Sequence, residues 1–278
     1  MTQFSGPLPT ARSCLKTIKI PGLFITGTGT DVGKTMVTAA LAAAFRRLNL
    51  RVGVCKPIAS GCPKLSHRGN DPNVPLVDDD FLSPDAMLAA RAAGLDTTDE
   101  RLLRHLSPLR YAAPVAPAVA AALEERPPDW SRVADALNWW QENCDVLLVE
   151  GAGGWLVPLD ADDFMIADLA AALKLPVLVV SLGGLGTVNH TLLTLHAIAQ
   201  RHLPIAGIVL NRVPPESRRD LATDSNLSEL PRLARVPLSA LLPDLGAIDW
   251  NADLPEALVD AVMPFARAWW ESLREPRT

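Results

Sequence analysis

The stretch G-T-G-T-D-V-G-K-T at residues 27–35 decides the fold. It follows a short apolar run at 22–26 and precedes a segment at 34–48 whose apolar residues recur every three or four positions, as in a helix. Glycines let a backbone approach phosphates closely, and the first turn of a helix offers free N–H donors. This order predicts a nucleotide-phosphate loop in which Lys34 reaches the β- and γ-phosphates and the Thr35 hydroxyl binds Mg2+.

The loop departs from the strict G-x-x-x-x-G-K-[ST] spacing, which would place its first glycine at position 28. That position is Thr28, and the glycine lies one residue earlier, at Gly27. A chance G-K-T in a glycine-rich turn is the alternative, and the flanking strand and helix patterns disfavour it. The motif predicts nucleotide binding and leaves the reaction open.

Strand and helix patterns alternate along the rest of the chain. Near-continuous apolar runs at 145–149 and 176–182 are typical of parallel strands covered on both faces. Further patterns predict a strand at 51–58, a helix at 187–201, a strand at 205–210 and a helix at 255–273. We therefore expect an α/β fold, a P-loop NTPase-type doubly wound and mostly parallel sheet flanked by helices. Residues 20–278 are predicted to form a single domain, and residues 1–19 a flexible N-terminal extension.

The overall composition excludes several classes of protein. A net charge of -5 argues against nucleic acid or an anionic membrane as the main partner. The apolar runs are strand-length, so no membrane span is expected, and residues 1–19 lack the apolar core of a signal peptide. Four cysteines without a C-x-x-C pair predict reduced thiols and a cytoplasmic location.

A second lysine, Lys56, ends the predicted strand at 51–58 and is followed by Pro57 and a Ser60-Gly61 turn. The carboxyl ends of parallel strands line the crevice in which open α/β sheets bind ligands. A solvated surface lysine is the usual alternative. The strand-end position favours a cation beside the phosphate loop, suited to a reaction that gathers negative charge there.

Acidic residues at two places are candidate Mg2+ ligands. Glu150 closes the predicted strand at 145–149 and precedes a glycine-rich turn, the position of a Walker-B type acid. Asp85 lies in the first turn of a helix that starts near Pro84, where an acid can also serve only the helix dipole. The triplet at 78–80, inside a long loop at 61–84, is either a solvated charge run or the source of the ligand in place of Asp85.

Five segments, taken together, resemble the dethiobiotin synthetase family from about residue 22 to about residue 243. They are GTGTDVGKT (27–35), KPIASG (56–61), VEGAGGWLVPL (149–159), GTVNH (186–190) and GIVLN (207–211). The resemblance implies a homodimeric enzyme of the P-loop fold that uses ATP, Mg2+ and CO2. It also implies that 7,8-diaminononanoate is carbamylated, that ATP phosphorylates the carbamate, and that the second amine closes a ureido ring.

The resemblance also implies roles for individual residues. Lys56 and Lys34 match the catalytic lysines, and Thr35, Asp85 and Glu150 match the metal ligands. The implied ATP contacts are Asp31, Val32, Gly33, Lys34, Thr35, Met36, Asp85, Glu150, Gly151, Ala152, Gly153, Asn211, Arg212, Leu242, Pro243 and Asp244. The implied substrate contacts are Thr30, Ser60, Gly186, Thr187, Val188 and Asn189. Gly29 and Asp31 depart from the family, which usually has Asp and often Glu at these two positions.

Two other functions fit a phosphate loop in an α/β fold. A related amidoligase would need a glutaminase domain, for which there is no room after residue 243. A partitioning-type ATPase switch would carry an additional lysine early in the loop, where this chain has Thr28 and Gly29. ATP turnover with and without the diamine and bicarbonate separates a switch from a ligase, because a switch is indifferent to both.

Overall fold

The computed structural model describes residues 10–65, 78–246, 249 and 252–274. Its strands are β1 Gly22–Gly27, β2 Val52–Cys55, β3 Ile58–Ala59, β4 Leu109–Arg110, β5 Val146–Gly154, β6 Val177–Leu182, β7 Ile205–Val213 and β8 Leu238–Pro243. Its helices are α1 Ala11–Cys14, α2 Lys34–Arg47, α3 Pro84–Ala92, α4 Glu100–Leu106, α5 Pro117–Leu123, α6 Trp130–Asn143, α7 Ile166–Leu173, α8 Thr187–Ala199, α9 Leu221–Ala234 and α10 Glu256–Ser272. Half of the long loop predicted at 61–84, residues 66–77, lies outside the described residues.

Six strands form the main sheet in the order β2-β5-β1-β6-β7-β8, and every neighbouring pair is parallel. The expected α/β fold with a parallel sheet flanked by helices is thus confirmed. β1 lies at the centre, with β5 and β2 on one side and β6 to β8 on the other. From β1 the chain runs to β2 on one side of the sheet, and from β6 it runs to β7 and β8 on the other; the crevice in which such sheets bind ligands is expected at the carboxyl ends where this reversal occurs.

Burial explains why β1 and α2 form the centre of the fold. All six residues of β1 are buried, as expected of a strand covered on both faces. α2 begins directly after Gly33, whose φ of +93° lies in the left-handed region that glycine adopts without strain. This turn joins the buried strand to the buried helix and fixes the phosphate loop between them.

The second predicted strand was too long. β2 ends at Cys55, because Pro57 has no N–H to continue the ladder. The next two residues, Ile58 and Ala59, pair instead with β4 in a separate two-stranded sheet. Lys56 therefore lies in a break between two strands, with its backbone N–H bonded to the Leu106 carbonyl at 2.7 Å.

The strand predicted at 145–149 was too short. It does not close at residue 149 but continues through Glu150 to Gly154, because the glycine-rich segment still pairs with β1. The register shifts between Ile25 and Gly27, because Ile25 pairs with Glu150 and Gly27 pairs with Gly154, so β5 is irregular beside the phosphate loop. Glu150 is thus paired with Ile25 of β1, whereas the pairing of β5 with β2 ends one residue earlier, at Val149.

The described part of the expected flexible extension is packed. Ala11, Leu15 and Ile18 are buried in the main core, and the Ile18 N–H donates to the Leu173 carbonyl at 3.0 Å. Only Ala11 lies in α1; Leu15 and Ile18 follow in non-helical backbone, so they are buried by packing along the core rather than as one face of a helix. The prediction was wrong for residues 10–19, and residues 1–9 lie outside the described structure.

Two further expectations concern thiols and membranes. The four cysteines are unpaired, and Cys55, Cys62 and Cys144 are buried, while the reduced state of these thiols stays a prediction. Among the helices that the structure describes, none combines the length and apolar character needed to cross a bilayer.

Candidate functional site

A cavity of about 790 Å³ opens at the carboxyl ends of β1, β2, β5, β7 and β8. Most of the residues predicted from the sequence line it: Thr30, Asp31, Gly33, Lys34, Thr35, Met36, Lys56, Ser60, Asp85, Glu150, Ala152, Gly153, Asn211, Arg212, Pro243 and Asp244. Three predicted ATP contacts, Val32, Gly151 and Leu242, do not line it, and neither do residues 186–189. The cavity therefore gathers groups from distant segments of the chain.

Lys34 lies inside the phosphate loop. Its Nζ donates a hydrogen bond to the Gly29 carbonyl at 2.9 Å, so the side chain curls back over the loop. Burial lowers the pKa of Lys34 from its ordinary value, and the charge of Glu150 partly opposes this. In the nucleotide complex, a phosphate oxygen would replace the Gly29 carbonyl as the acceptor for this ammonium group.

Lys56 joins the two candidate metal-binding acids. Its ammonium group forms ion pairs with Asp85 and, at 2.9 Å, with Glu150 Oε1. Burial alone would lower the pKa of Lys56, but Glu150 and Asp85 together outweigh it and raise the pKa above its ordinary value. Lys56 is therefore a fixed, buried cation rather than a solvated surface lysine.

Thr35 completes this cluster of four side chains. Its hydroxyl donates to Glu150 Oε1 at 2.9 Å, the same oxygen that accepts from Lys56. Glu150 has only 2% of its side chain exposed, so both bonds are shielded from water. Asp85 is held in the first turn of α3, which Ser83 caps by accepting from the Ala86 N–H at 3.3 Å.

These groups fit a magnesium ion. Two carboxylates and a hydroxyl are the oxygen donors that Mg2+ prefers, and phosphate oxygens and water supply its remaining ligands. Among the described residues no group of three or more His, Cys, Asp or Glu side chains forms a metal cage. The donor set thus suits a metal bound together with a nucleotide better than a metal bound by protein alone.

The acidic triplet at 78–80 lies apart from this cluster. Arg132 Nη1 contacts Asp78 Oδ2 at 2.8 Å, and Arg110 Nη2 contacts Asp79 Oδ1 at 2.8 Å. Asp80 is buried beside them. Since arginines compensate Asp78 and Asp79 while Asp85 contacts Lys56, the structure brings Asp85, and not the triplet, to the cavity.

The end of the cavity that holds the predicted adenine contacts is formed at the ends of β7 and β8 and by the residues after β8. Asn211 and Arg212 lie at the end of β7, and the Asp244 N–H donates to the Val213 carbonyl at 3.0 Å. Leu258 of α10, together with Leu245 and Gly246, also lines this region. Sequence reasoning missed Leu258, because the amphipathic pattern of α10 marks a packing face without showing which apolar residue reaches a cavity.

A proline-rich turn forms the remaining wall, which sequence reasoning also missed. Residues 114–117 line the cavity, and the preceding Ala113 carbonyl accepts from the Gly61 N–H at 3.1 Å. This bond ties the turn to Ser60. Two prolines, Pro114 and Pro117, within seven residues of the end of β4 were the available signal.

The turn at 186–189 opens α8 away from the cavity. Gly186 has a φ of +91°, and the buried hydroxyls of Thr187 and Ser181 lie 2.6 Å apart. Asn226 donates to the carbonyls of Gly183 and Gly184, at 3.0 and 2.9 Å, and so holds the approach to this turn. Asn189 itself is exposed.

Comparison with known proteins places this geometry in context. A family model described as an AAA domain matches residues 21–254. An ATP-dependent dethiobiotin synthetase of Anaeromyxobacter dehalogenans (strain 2CP-C) is 43% identical over 233 residues, covering 84% of this chain and 92% of the relative. The synthetase of Thermodesulfovibrio yellowstonii is 36% identical over 231 residues, covering 81% and 89%.

One solved structure is similar in fold alone. Cobyrinic acid a,c-diamide synthase from Mycobacterium smegmatis, solved with a bound ATP analog and magnesium, superposes with a TM-score of 0.52 at 17% identity. The match covers 93% of this chain and 97% of the other. This structural similarity supports the P-loop fold. At such low identity it says nothing about the reaction.

Proposed function

The chain belongs to the family of ATP-dependent dethiobiotin synthetases, and from this premise we propose how its residues carry out the reaction. It is an ATP-dependent ligase of biotin biosynthesis that forms carbon–nitrogen bonds. One observation supports the assignment of roles above the others. Lys56, Asp85, Glu150 and Thr35 form one hydrogen-bonded cluster beside the phosphate loop.

The reaction gathers negative charge at one place. One amine of 7,8-diaminononanoate attacks CO2 and loses a proton, which gives a carbamate. A carbamate oxygen attacks the γ-phosphorus of ATP and ADP leaves; the second amine then attacks the carbamate carbon, and phosphate leaves as the ring closes. Carbamate, γ-phosphoryl and β-phosphate oxygens are all anionic, so preorganised cations lower the barrier.

We assign the charge stabilisation to two lysines. Lys34 binds the β- and γ-phosphates, and Lys56 stabilises the oxygens of the transferred phosphoryl group. Lys56 is suited to this because Glu150 and Asp85 raise its pKa and keep it protonated. Ser60 and Thr30 line the same cavity and would contact the diamine end of the substrate.

Thr35, Glu150 and Asp85 would hold Mg2+ at the phosphates. When bound, Mg2+ neutralises charge on the β- and γ-phosphate oxygens. The ammonium of Lys56 bridges the same two acids, so this cation would lie directly beside the metal and the transferred phosphoryl group. We also propose a cytoplasmic location, with which the buried thiols agree. We further propose that the packed residues from 10 onward belong to a single domain.

We further propose a homodimer in which the turn at 186–189 holds the substrate carboxylate in the site of the neighbouring subunit. The turn opens α8 and so presents helix N-terminal N–H groups, of which that of Thr187 already donates to the Gly184 carbonyl at 3.3 Å, and it does not line the cavity of its own chain. Leu185, 90% exposed, and Leu193 of α8 lie beside it and would be covered by a partner.

A mixing experiment tests the shared site. A Lys34→Ala chain is combined with an Asn189→Asp chain, whose new charge repels the carboxylate. If sites are shared, a hybrid dimer has one site with both lesions and one site with neither, so activity reappears. If the mixture stays inactive once hybrid dimers are demonstrated, each site is built within one chain.

The overall assignment is tested by product formation. We expect dethiobiotin and ADP in equal amounts from the diamine, bicarbonate, ATP and Mg2+, with ADP formation dependent on the diamine. ADP release that is indifferent to diamine and bicarbonate would contradict the ligase and support a switch.

A further inference from the structure

Asn211 makes a contact that its predicted role at the base does not explain. It lies at position 211 of β7, two strands away from β1 in the sheet. Its side-chain Nδ2 nevertheless donates a hydrogen bond to the Val32 carbonyl at 3.0 Å, inside the phosphate loop. The residue is 4% exposed, so this bond is sheltered from water.

The same amide occupies the space over Gly33. A Cβ atom at this glycine would lie 1.8 Å from Asn211 Nδ2, a distance that no contact allows. Gly33 also has a φ of +93°. Glycine is therefore required here for two separate reasons, and one of them is the presence of the Asn211 amide.

The backbone of Asn211 is fixed independently of this contact. Asn211 pairs with Leu182 of β6, and its carbonyl accepts from the Gly183 N–H at 3.1 Å. The side chain thus extends from a rigid strand to the loop. Movement of the peptide between Val32 and Gly33 would break a bond to a fixed donor.

An asparagine amide has two N–H donors and one acceptor oxygen. One donor is used by Val32, because a carbonyl oxygen can face only the nitrogen side of the amide. The second N–H and the oxygen match the N7 acceptor and the N6 amino donor of adenine. One side chain can therefore serve the base and the phosphate loop together.

We propose that Asn211 is a positioning residue that couples adenine recognition to the conformation of the phosphate loop. It holds the Val32–Gly33 peptide so that the loop N–H groups and Lys34 stand ready for phosphates. This inference rests on the proposed nucleotide site and adds to it a role that base recognition alone does not predict.

The test uses a ligand without a base. Inorganic tripolyphosphate with Mg2+ and ATP with Mg2+ are titrated by calorimetry into the wild type, Asn211→Ala, and Asn211→Leu, which keeps the side-chain volume. The matched control is Leu258→Ala, which removes a cavity-lining side chain at the base end without touching the loop. Thermal melting confirms that each variant is folded.

We expect both Asn211 variants to bind tripolyphosphate about 3- to 10-fold more weakly, the effect of one net hydrogen bond. Their ATP binding should weaken further, about 10- to 100-fold, because the base contact is lost as well. Leu258→Ala should weaken ATP and leave tripolyphosphate unchanged. At saturating ATP, kcat of the Asn211 variants should stay within about threefold while KM rises, since ligand binding restores the loop.

Unchanged tripolyphosphate binding in both Asn211 variants, with ATP weakened, would overturn the coupling and leave Asn211 a base contact only. An equal loss of kcat and of ATP and tripolyphosphate binding in a folded variant would also overturn the coupling, because it would indicate a general structural defect of the site. The proposed nucleotide site fails in a different way. In that case the wild type binds neither ligand, or Lys34→Ala binds both as well as the wild type does.

Discussion

Replacing Lys56 by methionine isolates the charge at the centre of the cluster. Methionine has a similar length and packs among apolar atoms but cannot pair with Asp85 or Glu150. In the structure Lys56 is buried and contacts both acids. The substitution therefore removes the compensating charge and leaves two carboxylates close together.

The size of the effect on stability follows from Glu150. Its side chain is 2% exposed, and of its hydrogen-bond partners among the described residues the Thr35 hydroxyl alone would remain. Breaking a buried pair in this way costs about 3–5 kcal/mol. Asp85 is a third exposed, so solvent screens its contribution. We take about 3 kcal/mol in total, equivalent to a decrease in Tm of about 6–12 °C for a chain of this size.

Magnesium and catalysis should respond in opposite directions. Without the Lys56 ammonium, Mg2+ alone should bind the two acids more readily, so Mg2+ should raise the Tm of the variant more than that of the wild type. The activation free energy should rise by about 2–4 kcal/mol, the range for the loss of one preorganised charge stabiliser. This corresponds to a decrease in kcat of about 30- to 1,000-fold.

Thermal melts in EDTA and in Mg2+, with initial rates of dethiobiotin formation, measure all three effects. The matched control is Lys174→Met at the exposed end of α7, which should change none of them. If Lys56→Met melts like the wild type in EDTA and keeps kcat within about threefold, the cluster stabilises neither the fold nor the transition state. The reasoning would then be refuted.

Three further predictions concern neighbouring residues. Lys34→Ala should abolish ATP turnover at all Mg2+ concentrations, whereas high Mg2+ should partly restore the activity of Thr35→Ala. Identical Mg2+ titrations of the two variants would contradict this. Glu150→Gln should raise the Mg2+ requirement more than Asp85→Asn, because Glu150 is buried between paired strands and Asp85 is partly exposed; the reverse order in a Mg2+ titration would reject that ranking. Leu258→Ala should raise KM for ATP by about 3- to 30-fold with kcat nearly unchanged, because one buried aliphatic contact with the base is lost. An unchanged KM would exclude α10 from the proposed base site.

Local patterns were sufficient to predict the centre of the fold. The run before Gly27, the turn into Lys34 and the apolar strand before Glu150 each have the composition that their structure requires, and each appears where it was expected. The predicted strand-end lysine also lies in the crevice. These elements depend on residues close in sequence, so their signals survive without knowledge of the tertiary structure.

Shorter or weakly patterned elements were missed. The helices α1, α4, α7 and α9 and the edge strand β8 have few residues on one apolar face or lie among prolines and charged residues. Packing against the sheet stabilises such helices more than propensity does. Residues 10–19 are the clearest case, since only contact with the core distinguishes them from a free terminus.

The contacts that determine chemistry were the least accessible, because each joins segments far apart in the chain. Glu150 accepts from Thr35 across 115 positions and from Lys56 across 94, and Asn211 reaches Val32 across 179. A sequence shows that an acid or an amide ends a strand, but strand order decides what it meets. Here β1 lies between β5 and β6, so the loop after β1 receives Glu150 from one side and lies within reach of Asn211 from the other. From the central strand β1 the chain runs outward to β2, and from β6 it runs outward to β8 on the other side. The predicted metal ligand Glu150 and the proposed base contact Asn211 therefore lie on opposite sides of one phosphate loop, an arrangement in which a single loop can respond to both.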